Sequence, residues 1–126
     1  MAISSILLAG VLSLTACKKD TEKPTINVTS PVQCSEHQTG TEVQLEAIFS
    51  DDVRLEHYEV FVADEDFKED PSFQFHLNED ISGRQYSFKK SFIVPSNPPS
   101  WRYIFFTVTD HKNKKGTEGF ILHFAP

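Results

Sequence analysis

Apolar and polar residues alternate along most of the chain after residue 24, which is the pattern of strands with one buried face. The alternating segments are rich in β-branched and aromatic residues and are bounded by Pro, Gly, Asn or Asp. Seven such segments are PTINVTSP, EVQLEAIFSDD, LEHYEVFVAD, SFQFHLNED, RQYSFKKSFIVP, SWRYIFFTVTD and TEGFILHFAP. No segment carries apolar residues at helical spacing over three turns, so the sequence predicts an all-β chain.

Strands of this kind and number predict a fold of two layers. Seven short strands in about one hundred residues fit an immunoglobulin-like antiparallel β-sandwich, in which two sheets pack their apolar faces together. We therefore predict one such domain over residues 24–126. Alternation assigns the buried positions on four of the segments. These positions are Val43, Leu45, Ala47 and Phe49, then Tyr58, Val60 and Val62, then Ile104, Phe106 and Val108, and finally Phe120, Leu122 and Phe124.

The first sixteen residues, MAISSILLAGVLSLTA, carry no charged side chain, and charge begins at Lys18. The stretch is shorter than the roughly twenty apolar residues that span a bilayer, and it ends in small residues as secretory signal peptides do. The sequence LTAC at positions 14–17 resembles the bacterial lipobox. The resemblance implies that residues 1–16 are a lipoprotein signal peptide and that Cys17 becomes the acylated first residue of the mature protein. The alternative is a buried apolar segment with a structural thiol.

Residues 17–23, CKKDTEK, are short and polar and lead into Pro24, a composition typical of a spacer. Two or three acyl chains hold a protein on a membrane, because each buried methylene contributes about 0.8 kcal/mol. Lys18 follows the cysteine, where an Asp retains the resembling lipoproteins in the inner membrane, so the resemblance implies the outer membrane. Asp20 and Glu22 match only part of a surface-export signal, so the periplasmic and cell-surface leaflets both stay open.

Two strand ends resemble those of bacterial immunoglobulin-like and cadherin-like modules. SDD at positions 50–52, followed by Leu55, matches the aspartate-containing turn that closes one strand of such modules. Val108, Asp110 and Asn113 match a second closing motif loosely. Together with the lipobox, these motifs make the chain resemble short uncharacterised lipoproteins of Bacteroidota that carry one immunoglobulin-like domain of unknown function. That resemblance implies a fold and a location, and it implies no activity.

Charge and motif content argue against two classes of function. The 126-residue chain has a net charge of −6, whereas phosphate binding needs clustered Lys and Arg, so we expect no nucleic-acid partner. Its one basic run, HKNKKG at residues 111–116, is predicted to be a solvated turn. The sequence contains no G-x-S-x-G, no H-E-x-x-H and no glycine-rich phosphate loop. We expect a protein that is not an enzyme and that uses no cofactor.

One outward face departs from the rule that solvent positions are polar. The third, sixth and seventh segments share one sheet of the expected sandwich, with the sixth in the middle, so their outward side chains would be contiguous. Contiguous apolar patches mark contact with a protein, a carbohydrate or a second copy of the chain. The predicted binding patch consists of His57, Phe61, Trp101, Tyr103, Phe105 and His123, with Leu55, Glu59 and Ile121 beside them. Three alternatives are a register shift by one on the sixth segment, an extra strand that covers the patch, and a covering loop, DEDFKEDPSF, at residues 64–73.

Metal binding is the alternative function. The two candidate ligand sets are Asp51, Asp52 and Asp110 for calcium, and Cys34, His37 and His76 for zinc. The three aspartates lie on loops expected at one end of the sandwich, where they could bind calcium or cap their own turns. The cysteine and the first histidine have C-x-x-H spacing, and the second histidine joins them only if the first and fourth strand regions meet. The sequence therefore predicts a lipid-anchored, non-catalytic binding module at the cell envelope, with a metal-binding lipoprotein as the alternative.

Overall fold

The computed structural model describes residues 22–126, which form eight strands and one short 3-10 helix, Pro71–Phe73. The strands are β1 Thr25–Ser30, β2 Glu36–Gln38, β3 Glu42–Ser50, β4 Leu55–Ala63, β5 His76–Asp80, β6 Gln85–Ile93, β7 Trp101–Asp110 and β8 Lys115–Ala125. The all-β prediction is confirmed, and β2 is an eighth strand that alternation did not reveal. Among these residues no helix is long and apolar enough to cross a membrane. The predicted signal peptide, Cys17 and the tether up to residue 21 lie outside the described residues.

The strands form two sheets that pack face to face. One sheet has the order β1-β3-β6, and the other has the order β2-β8-β7-β4-β5. All neighbouring strands are antiparallel except β2 and β8, which run parallel. This arrangement is that of an immunoglobulin-like β-sandwich. It confirms that the third, sixth and seventh predicted segments, now β4, β7 and β8, share one sheet with β7 in the middle.

Every position that alternation assigned to the core between the sheets is buried, and the core also contains residues that were not assigned to it, among them Phe88 and Phe92 on β6. Aromatic rings fill its centre. The ring centroid of Phe49 lies 5.5 Å from that of Tyr58 and 5.5 Å from that of Phe88. Phe106 approaches Phe88 edge to face, with centroids 5.7 Å apart. Aromatic pairs of this geometry stabilise a fold by more than the burial of their apolar surface alone. These rings therefore help to hold the two sheets together.

Leu55, which alternation placed on the outer face, is only 1% exposed. The ladder between β4 and β7 shifts at this point, with Leu55 opposite Asp110 and His57 opposite Thr109. A bulge of this kind places an extra residue in one strand and changes which face the side chains beyond it occupy. The predicted outward position of Leu55 is therefore wrong, and this residue belongs to the core.

The chain enters the sandwich at one end, which we term the tether end. β1 begins there, and the β3–β4, β5–β6 and β7–β8 turns lie at the same end. Pro24 is buried against Gly116, where a Cβ atom would clash with the Pro24 carbonyl oxygen. The glycine therefore lets the entering chain pass close to β8. The long β4–β5 connection, residues 64–75, lies at the opposite end, which we term the distal end.

Candidate aromatic binding face

Aromatic side chains gather on the outer face of the five-stranded sheet, toward the distal end. Phe61 on β4 pairs across the ladder with Phe105 on β7, and their ring centroids are 5.8 Å apart. Trp101 and Tyr103 continue along β7, with edge-to-face rings 5.2 Å apart. All four side chains are partly buried. The predicted register of this strand is confirmed, because the residues that alternate with these rings are buried in the core.

A fifth ring, that of Phe67 in the β4–β5 connection, lies over this row. Its centroid is 4.7 Å from that of Tyr103 and 5.0 Å from that of Phe105. Phe67 keeps 47% of its own surface exposed, so it covers the row without closing it from solvent. The only signal for this contact in the sequence is a lone phenylalanine within a charged loop. We term the five residues Phe61, Phe67, Trp101, Tyr103 and Phe105 the aromatic band.

Gly119 on β8 makes room for the ring of Phe67. It lies directly opposite Phe105 in the β7–β8 ladder. A Cβ atom at this position would be 3.2 Å from Cε1 of Phe67 and 3.2 Å from Cδ1 of Tyr103. An aromatic ring that packs over a glycine in a neighbouring strand replaces the side-chain contact that the glycine lacks. The glycine in β8 is therefore part of the architecture of the aromatic band.

A local turn holds Phe67 in position. Oδ1 of Asp64 accepts hydrogen bonds from the backbone N–H groups of Asp66, at 2.9 Å, and Lys68, at 3.1 Å. The N–H of Phe67 itself donates to the Asp64 carbonyl oxygen at 3.0 Å. Phe67 has φ of +61°, which is uncommon for a bulky residue. The aspartate side chain stabilises this turn, as Asx turns generally do, and so directs the ring toward the sheet.

His76 on the edge strand β5 borders the band and binds two carboxylates. Its Nε2 lies 2.6 Å from Glu59 Oε2 and its Nδ1 lies 2.9 Å from Glu69 Oε1, while its ring packs 5.1 Å from that of Phe61. Both nitrogens can donate only in the protonated ring. The hydrogen bonds to Glu59 and then to Glu69 raise the pKa of His76, because they favour the charged form. The contact ties the β4–β5 connection to the sheet.

A shallow depression of about 320 Å³ lies at the other border of the band. It is lined by Trp101 and Tyr103 together with Ile121, His123 and the exposed thiol of Cys34. The Cys34 N–H donates to the Ile121 carbonyl oxygen at 2.8 Å, which places the thiol beside β8. The sequence offered no signal that this cysteine would lie next to the aromatic residues, because the contact joins distant parts of the chain.

The structure brings together most of the predicted patch. Phe61, Trp101, Tyr103 and Phe105 form the band, and His123 is exposed directly across the ladder from Trp101. His57 lies on the same face but closer to the tether end, where its Nδ1 is 2.8 Å from Asp80 Oδ1. The alternative of a covering loop is confirmed in part, because Phe67 from that loop shields the centre of the patch.

The zinc candidates do not come together. Cys34 and His37 lie beside the β2–β8 edge of the five-stranded sheet, and His76 is on β5 at the opposite edge. Four strand spacings of about 4.8 Å separate those edges, whereas zinc ligands lie about 2.0 to 2.3 Å from their metal. Nε2 of His37 is instead 2.8 Å from Ser35 Oγ, and burial lowers the pKa of His37.

The calcium candidates lie at the tether end, as expected, but two of them cap their own turns. Asp51 Oδ2 accepts from the N–H groups of Val53 and Arg54 at 3.1 and 2.8 Å. Asp110 Oδ1 accepts from the N–H groups of residues 112 and 114 at 2.9 and 2.8 Å. Within residues 22–126, no three His, Cys, Asp or Glu side chains are placed to hold a metal ion. Neither predicted ligand set, including Asp52, is assembled as a site.

Comparison with known proteins gives a family but no activity. The family model described as "Domain of unknown function (DUF4625)" matches residues 13–121, a range that includes Cys17 and the whole aromatic band. No curated protein sequence matches the chain.

Two solved structures to which the chain is similar are the sporulation control protein Spo0M from Bacillus subtilis and a Niemann-Pick type C2 protein from Japanese carpenter ant. The first is 12% identical with a TM-score of 0.45, and the match covers 82% of this chain and 49% of that chain. The second is 16% identical with a TM-score of 0.46, and the match covers 82% and 90%. Neither likeness bears on function.

Proposed function

The chain belongs to the DUF4625 family, whose function is unknown, and we propose that it is a lipid-anchored envelope protein whose β-sandwich binds a partner through the aromatic band. The proposed anchor is the acylated Cys17, and the proposed location is the outer membrane. The sandwich acts as a non-catalytic module. Its proposed partner is a carbohydrate, a protein or a second copy of the chain, because flat aromatic surfaces suit all three.

The aromatic band is the observation that supports binding. Five aromatic rings lie on the solvent side of a sheet whose other face already supplies the core. They are only partly buried, and Phe67 keeps 47% of its surface exposed. Large aromatic side chains contribute most of the free energy at interfaces when a partner removes them from water. The carboxylates around His76 and the exposed His123 add polar contacts at the two borders.

The position of the band in the fold fits an anchored protein. The chain enters at the tether end, where Pro24 packs on Gly116. The aromatic band lies toward the distal end, because Phe61 and Tyr103 lie where β4 ends and β7 begins. An anchor attached before Pro24 would therefore leave the band on the side of the domain, toward the end far from the lipid surface, where a partner could reach it.

Substitution of Tyr103 tests the proposal that the aromatic band binds a partner. Sedimentation velocity would measure self-association, and binding to polysaccharides and proteins from the cell envelope would be measured in parallel. We expect Tyr103→Ser to weaken the interaction at least tenfold, because an aromatic hot spot contributes about 2 kcal/mol or more. Thr107→Ser, on the same face of the same strand but outside the band, is the matched control. Equal binding by both variants would refute the role of the band.

Substitution of Cys17 tests the anchor separately. The unaltered protein should incorporate labelled fatty acid and partition into detergent, whereas Cys17→Ser should remain unprocessed or enter the aqueous phase. Cys34→Ser is the matched control, because it removes the other cysteine of the chain and should leave partitioning unchanged. An unaltered protein that stays in the aqueous phase would refute the anchor.

A further inference from the structure

Carboxylates surround the aromatic band. The β4–β5 connection, which carries Phe67, contains five of them and a single lysine. Two more lie on the outer face of the sheet, one next to Phe61 on β4 and one on β2, opposite His123 in the β2–β8 ladder. We term these seven residues the acidic rim: Glu36, Glu59, Asp64, Glu65, Asp66, Glu69 and Asp70.

Positive charge beside the band does not balance the acidic rim. Lys68 lies in the connection, and Arg102 at the start of β7 is held by Asp70, with Nε 2.8 Å from Oδ2. Two histidines, His76 and His123, lie at the borders of the band. Seven carboxylates against two fixed cations leave a net charge of −5, and protonation of both histidines changes it only to −3. The surroundings of the band are therefore acidic whatever the state of its histidines.

Several carboxylates of the acidic rim remain accessible to a partner. The side chains of Glu36, Glu65 and Asp66 are exposed, and within residues 22–126 they accept no hydrogen bond and form no ion pair. Glu59 and Glu69 share His76 but keep 36% and 37% of their side-chain surface exposed. Negative charge is therefore available on both borders of the band and beside the ring of Phe67.

This charge distinguishes between the partners that flat aromatic surfaces suit. In a two-fold dimer through the band, each acidic rim would face its own copy, and like charges brought together oppose association. A polysaccharide that carries phosphate or carboxylate groups is repelled in the same way, and a neutral one gains nothing from the rim. A cationic partner gains twice, because aromatic faces attract cations and carboxylates pair with them.

We infer that the aromatic band binds a protein surface or segment rich in arginine and lysine. This inference rests on the proposed binding function of the band. The planar guanidinium group of arginine can stack on an aromatic ring while its N–H groups donate to a carboxylate. The apolar stems of both side chains cover aromatic surface while their charged ends reach the acidic rim. The five rings and the seven carboxylates therefore suit the same kind of side chain.

Fluorescence anisotropy with four labelled peptides would test the charge of the partner. In these decapeptides serine alternates with arginine, lysine, citrulline or glutamate, and the protein is the full chain in a neutral detergent. Citrulline has nearly the shape of arginine but no charge, so it isolates the effect of charge. We expect the arginine peptide to bind at least tenfold more tightly than the citrulline peptide, and the glutamate peptide to bind least. High salt should reduce the difference, because it screens exposed charges.

Two triple variants with the same change of charge would locate the binding site. The rim variant should weaken binding of the arginine peptide about five- to tenfold, since each exposed ion pair contributes roughly a factor of two. It should leave binding of the citrulline peptide unchanged. The control variant changes three exposed glutamates outside the band and should bind the arginine peptide normally. The rim variant is Glu36→Gln, Glu65→Gln and Asp66→Asn, and the control variant is Glu22→Gln, Glu56→Gln and Glu118→Gln.

Two failures are distinguishable in this experiment. If the arginine peptide binds no more tightly than the citrulline peptide, or if both triple variants weaken it equally, the basic partner is refuted. The role of the band then stands if Tyr103→Ser weakens binding of a neutral polysaccharide or of a second copy of the chain. If Tyr103→Ser weakens binding of no peptide, polysaccharide or second copy, the band itself is refuted, and the basic partner is refuted with it.

Discussion

Phe105 and Phe106 are adjacent in sequence and lie on opposite faces of β7, so a double-mutant cycle with Phe67 can test the arrangement of the band. Phe106 is fully buried, with its ring centroid 6.0 Å from that of Phe49, and Phe106→Ala should cost about 3 to 5 kcal/mol. Phe105 is partly buried and packs on Phe67 with centroids 5.0 Å apart. Phe105→Ala should therefore cost less than Phe106→Ala.

Double variants that combine Phe67→Ala with Phe105→Ala or Phe106→Ala distinguish the two faces of β7 more clearly than the single variants do. An aromatic pair contributes about 0.5 to 1.5 kcal/mol, so Phe105→Ala and Phe67→Ala should be non-additive by that amount. Phe106→Ala and Phe67→Ala should be additive within about 0.5 kcal/mol, because no contact joins these rings across the sheet. Urea denaturation measures all the free energies of unfolding. Additivity for Phe105 with Phe67, or clear coupling for Phe106, would refute the covering role of Phe67.

Three further changes test single features of the structure. Gly119→Val should displace the ring of Phe67, since a Cβ would lie 3.2 Å from it, and faster chymotrypsin cleavage in the β4–β5 connection should report this. Because its carboxylate partners raise the folded-state pKa of His76 above the ordinary histidine value of about 6.5, the stabilisation is complete below the unfolded-state pKa and is lost as pH rises through the folded-state pKa. As pH rises above about 6.5, the free energy of unfolding should therefore fall more steeply in the unaltered protein than in His76→Gln. Asp110→Ala should cost about 1 to 3 kcal/mol by thermal melts, because the buried Asp110 carboxylate accepts hydrogen bonds from two backbone N–H groups of its turn that would lose their acceptor.

Alternation predicted the architecture because the sequence of each single segment shows which positions are apolar and face inward and which are polar and face outward. On β3, Val43, Leu45 and Phe49 are buried, and the polar residues between them are not. The same local signal placed Ile104 and Phe106 in the core and left Tyr103 outside. Seven alternating segments in a short chain leave few arrangements other than two packed sheets.

The features that the sequence did not predict depend on contacts between distant residues. β2 has only three residues, and it becomes a strand by pairing in parallel with β8, more than eighty positions away. Leu55 turns inward because the ladder with β7 shifts beside it. Neither the length of a segment nor its alternation encodes these two features. The β2–β8 pairing and the shift beside Leu55 both arise only when two separate segments meet.

Phe67 shows why the candidate site was harder to predict than the fold. Its neighbours in sequence are charged and exposed, and they correctly indicate a solvated loop. Its place over the band depends on three conditions in separate segments: the turn stabilised by Asp64, the space beside Gly119 and the rings on β7. None of these alone points to the contact. A face that is covered by one residue from a polar loop is therefore neither core nor free surface, and this partial cover is what distinguishes the aromatic band from the packed interior beneath it.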